Sequence, residues 1–320
     1  MRPDEARAEL AALAPMLATS DDPYLRPTFD LRRGDLALVD GDAVAALAAA
    51  ESAYNVSIKA FPHTPTAIIQ PLRLRASATN ASGDFEFAEL AHRELLDLSA
   101  QAYGTKHPEY ADDLGTFAAW LNTRLRFGEA EALYRRAADL IEASYGSDSA
   151  KFAGALSNIA TTITKHPGRA AEATALLERA VAIVDRLGDL PRESSFLRFN
   201  LAAAIVFLGR HQEALELTEE ARKIYLELPG SSKRMTFMFD VAAMQYLAAI
   251  GRIEEALENG IRMANTATID TTEDLQAYVQ GLTDLARIAS FAGDPELAMK
   301  ASRRAMYETS RARPRGGHRL

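Results

Sequence analysis

Residues 209–224 read GRHQEALELTEEARKI, and they open with a phrase that recurs along almost the whole chain: a glycine, four further residues and then an alanine. Alignment on that alanine gives seven copies, separated by 41 to 43 residues. Five residues before the alanine, six of the seven copies carry glycine, and the exception is Leu125. A nearly constant period of this length indicates a repeat architecture. The aligned alanines are Ala46, Ala88, Ala130, Ala173, Ala214, Ala256 and Ala298.

Each copy is predicted to be a pair of helices joined by a tight turn at the glycine. Glycine ends a helix readily because it adopts the left-handed conformation without a steric penalty. The second helix then begins with acidic residues, as in GEAEALYRRAADLIEASYG at 128–146, where they complement the positive helix terminus. No alternating apolar and polar run bounded by turns is present, so we expect a sheet content near zero.

The stretch 103–146, YGTKHPEYADDLGTFAAWLNTRLRFGEAEALYRRAADLIEASYG, is the fullest copy. Its glycine, alanine and later small residues resemble the second half of the tetratricopeptide repeat. The longer period of about 42 residues resembles the long-repeat variety of kinesin light chains and many bacterial regulators. The resemblance covers roughly residues 25–310, and it implies an all-α, right-handed α-solenoid of about seven repeats with an N-terminal cap helix.

The predicted organisation has three parts. Residues 1–24 form the cap helix and a linker, 25–310 the solenoid, and 311–320 a basic, flexible tail. For the first 20 residues a fusion remnant or frayed tail remains an alternative to a cap. The repeats are expected near 25–65, 66–107, 108–149, 150–191, 192–233, 234–275 and 276–310.

Composition excludes several classes of function. The net charge of −8 argues against nucleic acid as the main partner, since duplex binding needs a basic surface. The absence of cysteine excludes disulfides, thiolate metal sites and a cysteine nucleophile. No phosphate-binding loop, zinc-protease or nucleophile-elbow motif is present, and the histidines lack the spacing of metal ligands. We therefore expect a cytoplasmic protein that is not an enzyme, has no cofactor or metal, and does not enter a membrane.

The resemblance implies that ligands bind along the concave face formed by the first helices. Asn158 and Asn200 occupy the same place in adjacent repeats, where the family often uses asparagine to hold a peptide backbone. An amide suits this role because it both donates and accepts hydrogen bonds. The alternative is that these residues are simply the polar face of a solvated helix. The predicted groove residues are Asn158, Asn200, Asn122, Arg73, Thr161, Gln245, Arg32 and Arg287.

Two further features of the predicted groove have alternative interpretations. The arginines Arg32, Arg73 and Arg287 could bind ligand carboxylates, or could be ordinary surface charges. Three aromatic residues, Phe196, Phe199 and Phe207, are either an anchor site for a partner or, as is usual for aromatics at helical spacing, part of the core.

The predicted function is a protein or peptide interaction module that binds an extended peptide or a partner helix, as a scaffold or adaptor. Alternatives are the sensory domain of a bacterial signalling protein, such as a kinase or transcription regulator, and a small-molecule-binding solenoid. Homodimerisation through an uncapped, apolar terminal repeat is a further prediction. Nucleic acid is not expected to bind, except weakly through the arginine-rich tail.

Overall fold

The computed structural model describes residues 3–17, 19–166, 168–267, 269 and 272–312. These residues contain fifteen α-helices and no strand, so the predicted all-α helical repeat fold is confirmed. The helices fall into two compact units, Met1–Gly146 and Ser147–Leu320. Residues 313–320, which make up most of the predicted basic tail, lie outside the described residues. The handedness of the solenoid stays a prediction.

The first unit consists of a leading helix and three helical hairpins. The leading helix, α1, packs against α2; its Arg7 pairs with Asp40 at 3.0 Å, and its Glu9 pairs with Arg32 at 3.2 Å. The helices are α1 Pro3–Met16, α2 Leu25–Val39, α3 Ala43–Ala60, α4 Thr66–Ser82, α5 Phe85–Tyr103, α6 Pro108–Thr123 and α7 Phe127–Tyr145.

The second unit consists of four helical hairpins. Within it, the first helices of successive hairpins pack against each other as well as against their own partners. A 3-10 turn, Val206–Leu208, follows α10. The helices are α8 Ala150–Ile163, α9 Ala170–Leu187, α10 Pro191–Ile205, α11 His211–Leu226, α12 Lys233–Ala249, α13 Ile253–Thr266, α14 Thr272–Phe291 and α15 Pro295–Ala312.

The aligned alanines lie in the interior of the two units. Six of the seven, from Ala46 to Ala256, have no solvent exposure, and Ala298 in α15 is half-buried. A side chain larger than a methyl group at these points would hold the helices apart, because protein interiors are close-packed. The regular spacing of these alanines is therefore explained by the need for a small side chain where one helix packs against its neighbours.

The turn inside each hairpin requires a left-handed residue. All six aligned glycines have positive φ, between 76° and 83°. Leu125, the exception in the sequence, has the same conformation with φ of 60°, and it is the one non-glycine residue with positive φ in the described part of the chain. The turn geometry is thus retained where its preferred residue is missing.

The second helices begin in two different ways. At α3, α5 and α15 an aspartate accepts a hydrogen bond from the backbone N–H three residues on, as Asp42 does from Ala45 at 2.9 Å. At α7, α9, α11 and α13 the same position holds an arginine, which binds a glutamate three residues on, as Arg126 binds Glu129 at 2.7 Å. That glutamate places negative charge in the first turn, where the helix dipole favours it.

No helix among the described residues combines the length and the apolar character needed to cross a membrane.

Candidate functional site

The two asparagines predicted to bind a peptide backbone share one cleft. Asn158 on α8 and Asn200 on α10 both line a cavity of about 260 Å³, which we call the α8–α10 cleft. Its two helices are the first helices of adjacent hairpins, and the 42-residue period places the asparagines on the same side of both. The cleft is lined by Ala150, Gly154, Ser157, Asn158, Val184, Arg192, Glu193, Phe196, Leu197 and Asn200.

The two amides differ in how they are held. The Nδ2 of Asn200 donates a hydrogen bond to the Oγ of Ser157 at 3.0 Å, and Ser157 is buried. This bond fixes the orientation of the Asn200 amide and leaves its carbonyl oxygen without a partner in the described part of the chain. Asn158 is exposed, and its side chain makes no hydrogen bond with any described residue. One amide is therefore pre-oriented, and the other is free to meet a ligand.

Residues near the cleft differ in whether their side chains are already hydrogen-bonded within the protein. The hydroxyl of Thr161 donates to the carbonyl oxygens of Ser157 at 3.0 Å and Asn158 at 3.2 Å, so it is engaged by its own helix. Arg192 and Glu193, in the first turn of α10, are exposed and add one charge of each sign to the cleft. The sequence analysis did not predict these two residues as part of the site. Their position directly after Pro191, which begins α10, is the sequence feature that could have indicated them.

Arg73, predicted to bind a ligand carboxylate, is already bound within the first unit. Its Nε donates to Asp113 at 2.7 Å, and its Nη2 donates to Asp113 at 3.1 Å and to Glu109 at 2.8 Å. Burial opposes the charge of Arg73, but the hydrogen bonds and charges of Asp113 and Glu109 outweigh it and raise the pKa of the guanidinium. Arg73 thus joins α4 to α6.

Arg32 and Asn122 also contact neighbours inside the first unit. Arg32 lies between Glu9 of α1, at 3.2 Å, and Asp35 of its own helix, at 3.5 Å. The Asn122 side chain hydrogen-bonds with Tyr134 of α7, whose pKa is raised to about 12 because burial outweighs this bond. Neither side chain is free in the way that Asn158 is.

Gln245 and Arg287 meet at a buried carboxylate in the second unit. The Nε2 of Gln245 donates to Asp284 at 2.7 Å, and the Nη2 of Arg287 donates to the other carboxylate oxygen at 3.2 Å. Gln280 approaches the same carboxylate at 3.4 Å. These residues form a polar connection between α12 and α14, separate from the α8–α10 cleft.

The three phenylalanines divide between core and surface. Phe199 packs edge-on against Phe239 at 4.9 Å between ring centroids, and Phe196 packs against Tyr225 at 6.0 Å. Phe196 also lines the α8–α10 cleft, whereas Phe207 is 69% exposed. The core interpretation therefore holds for Phe199, while Phe196 serves both core and cleft.

No group of three or more histidine, aspartate or glutamate side chains in the described ranges has the arrangement of a metal site. The described side chains of the α8–α10 cleft can form hydrogen bonds with a ligand, and they offer one positive charge, on Arg192, and one negative charge, on Glu193.

Comparison with known proteins supports the fold. No family model and no curated protein matches the chain. Among solved structures, RapI in its apo form superposes with a TM-score of 0.65 at 11% identity, covering 97% of this chain and 93% of that one. A Rap protein in complex with competence and sporulation factor gives a TM-score of 0.60 at 14% identity, with the same coverage of 97% and 93%.

A third neighbour consists of tetratricopeptide-like repeats. The nearly identical TPR-like repeats of a kinesin light chain from Podosopora anserina superpose with a TM-score of 0.55 at 20% identity, covering 64% of this chain and 97% of that one. These superpositions show the fold. The chain has the fold of a tetratricopeptide-like helical repeat protein, as the resemblance of its repeats implies.

Proposed function

We propose that this chain is a non-catalytic protein-interaction module whose α8–α10 cleft binds the backbone of an extended peptide. The observation that carries the proposal is the free amide of Asn158 in the same cleft as the pre-oriented amide of Asn200. An extended peptide presents N–H and C=O groups in alternation, and an asparagine amide can pair with both.

The small volume of the cleft favours an extended peptide over an enclosed small molecule. Its volume of about 260 Å³ is below the roughly 300–1,000 Å³ typical of small-molecule pockets. Arg192 and Glu193 are placed to contact side chains of either charge on the ligand, and Phe196 offers an apolar surface. Backbone contacts would then give affinity, and these three residues would give selectivity.

The proposal is tested with a selected peptide. A random 12-residue library is panned against the protein, and the dissociation constant of the best synthetic peptide is measured by fluorescence polarisation. Two hydrogen bonds per amide, each worth about 1 kcal/mol, predict that Asn158→Ala weakens binding by about 30-fold. Asn200→Ala should weaken it similarly, while Asn55→Ala, an exposed asparagine on α3, should leave it unchanged.

A second measurement separates backbone recognition from side-chain recognition. N-methylation of single peptide bonds should abolish binding at one or two positions, because it removes the N–H that an asparagine oxygen accepts. Full binding by Asn158→Ala, with circular dichroism showing an unchanged fold, would refute the proposal. So would a peptide that tolerates N-methylation at every position.

A second candidate is the sensory domain of a bacterial regulator. It is favoured by the Rap protein that was solved with competence and sporulation factor, since this neighbour superposes on 97% of the chain. Hydrogen exchange with and without the selected peptide distinguishes the candidates. A sensor should change its exchange in helices away from α8–α11, whereas a passive scaffold should be protected at the cleft alone.

A further inference from the structure

A larger cleft lies in the first unit, between α2 and α4. Its cavity of about 460 Å³ is within the range of ligand-binding pockets. We call it the α2–α4 cleft; α2 contributes Thr28, Leu31, Arg32, Asp35 and Leu38, and α4 contributes Gln70, Arg73, Leu74 and Ser77.

The floor of this cleft is apolar and closely packed. Leu74 is 4% exposed, and Leu31 and Leu38 are half-buried. Gly34 allows this approach, because a methyl group there would lie 2.4 Å from Cδ2 of Leu74. A ligand entering the cleft therefore meets leucine side chains beneath a polar rim.

Two arginines and one carboxylate, Asp35, line the cleft, and further carboxylates pair with the arginines from outside the lining. Arg73 is shared by Asp113 and Glu109, and Arg32 is shared by Glu9 and Asp35, so the cluster holds two guanidinium groups and four carboxylates. Both arginines are thereby neutralised within the protein. An incoming carboxylate would compete with four existing ones, whereas an incoming cation would supply charge that the cluster lacks.

Asp35 is the carboxylate most open to a ligand. Its side chain is 56% exposed, and its contact with Arg32 is the longest of the four pairs at 3.5 Å. Partial burial raises the pKa of Asp35, and the nearby Arg32 does not fully offset this. A second cation near Asp35 would stabilise the ionised carboxylate, which is the usual effect of an opposite charge.

We propose that the α2–α4 cleft binds a basic side chain, lysine or arginine, of a partner peptide, with Asp35 as the charge partner. The methylene stem lies on Leu31, Leu38 and Leu74, as long basic side chains do on apolar surfaces. The exposed amide of Gln70 accepts a further hydrogen bond from the cationic head. This site lies in the first unit, so the proposal does not depend on Asn158 or on the α8–α10 cleft.

The test uses small probes and the leucine methyl groups of the floor. N-acetyl-arginine methylamide is titrated into protein carrying ¹³C-labelled leucine methyls, and its lysine, citrulline and glutamate analogues are titrated in parallel. The arginine or the lysine probe should shift the Leu31, Leu38 and Leu74 signals saturably, with millimolar affinity that falls as salt is raised. The uncharged citrulline and the anionic glutamate probes should not.

Three variants complete the design. Asp35→Asn should weaken binding of the cationic probe at least fivefold, whereas Asp97→Asn, an equal charge change at an exposed site on α5, should not. Arg32→Gln should strengthen binding, because it releases Asp35 and Glu9 from their present partner. The proposal is overturned if the glutamate probe binds, if all four probes bind equally, if no signal shifts, or if Arg32→Gln weakens binding of the cationic probe.

Discussion

Replacement of Leu125 by glycine should stabilise the first unit. Leu125 ends the first helix of its hairpin with φ of 60°, a conformation that costs a residue with a Cβ roughly 1–2 kcal/mol. Two backbone hydrogen bonds hold the turn in this conformation: the N–H of Leu125 donates to the carbonyl of Asn122 at 3.1 Å, and that of Arg126 donates to the carbonyl of Leu121 at 3.0 Å. These two bonds define the usual helix-ending motif in which glycine is preferred.

The magnitude follows from comparing two substitutions that remove the same atoms beyond Cβ. The Leu125 side chain is 74% exposed, so its truncation to alanine loses about 0.5 kcal/mol of burial. Glycine loses the same contacts and gains the relief of about 1.5 kcal/mol of strain, offset by about 0.7 kcal/mol of extra freedom in the unfolded chain. Leu125→Gly should therefore exceed Leu125→Ala by about 1 kcal/mol in free energy of unfolding, and should slightly exceed the wild type.

The assay is urea unfolding followed by tryptophan fluorescence. Trp120 is the single tryptophan of the chain, it is 4% exposed, and it belongs to α6, the helix that this turn ends. Gly83→Ala is the reverse control; a methyl group there has nothing within 4 Å, so conformational strain alone should cost it about 1 kcal/mol. If Leu125→Ala proves as stable as Leu125→Gly, the positive φ is not a source of strain and the reasoning is wrong.

Two further predictions concern the cores of the units. Gly260→Ala should destabilise the second unit by about 1–3 kcal/mol in thermal or urea unfolding, because the new methyl would lie 2.5 Å from Leu285 Cδ1 and 2.7 Å from Met244 Sδ. Gly115→Ala in α6, where nothing lies within 4 Å of the new methyl, should instead raise the free energy of unfolding by about 1 kcal/mol. Equal effects at both sites would contradict the packing argument. Burial lowers the pKa of His92 to about 4, so between pH 6.5 and 4 the unfolded chain binds a proton that the folded chain does not. The free energy of unfolding should therefore fall by about 3 kcal/mol on acidification across that range. His92→Phe, which keeps an aromatic ring stacked on Phe117, should flatten the pH dependence of unfolding measured by Trp120 fluorescence, and an unchanged pH dependence would exclude His92 as its cause.

The fold was predictable because its determinants are local and repeated. A glycine and an alanine at fixed spacing specify a turn and a close helix contact wherever they occur, and burial of the aligned alanines follows from that contact. Leu125 adopts the same left-handed conformation as the aligned glycines, since its neighbours specify the turn. The division between the units at Gly146 has no comparably clear signal; the longest spacing, 43 residues between Ala130 and Ala173, spans it.

The state of individual groove residues could not be predicted in this way. Helical periodicity assigns Arg73 to a face of α4, but its pairing with Asp113, 40 residues away, depends on the distance between two helices and on side-chain rotamers. The same holds for Asn122 and Tyr134. Asn158 and Asn200 are equivalent in sequence, yet Ser157 engages one and leaves the other free. Sequence therefore predicts which residues share a face, while packing decides which remain available to a ligand.

The neighbour-to-neighbour packing of the helices has a consequence for synthesis on the ribosome. Within each unit, the main contacts of the described helices are with helices adjacent in sequence or one hairpin away, so these contacts close within about one repeat. Chains elongate at roughly 5–20 residues per second, so a repeat of about 42 residues emerges in about 2–8 seconds. Arrays of this kind can nucleate in any repeat and propagate to the next. The first unit can thus bury its alanines before the second unit has been translated.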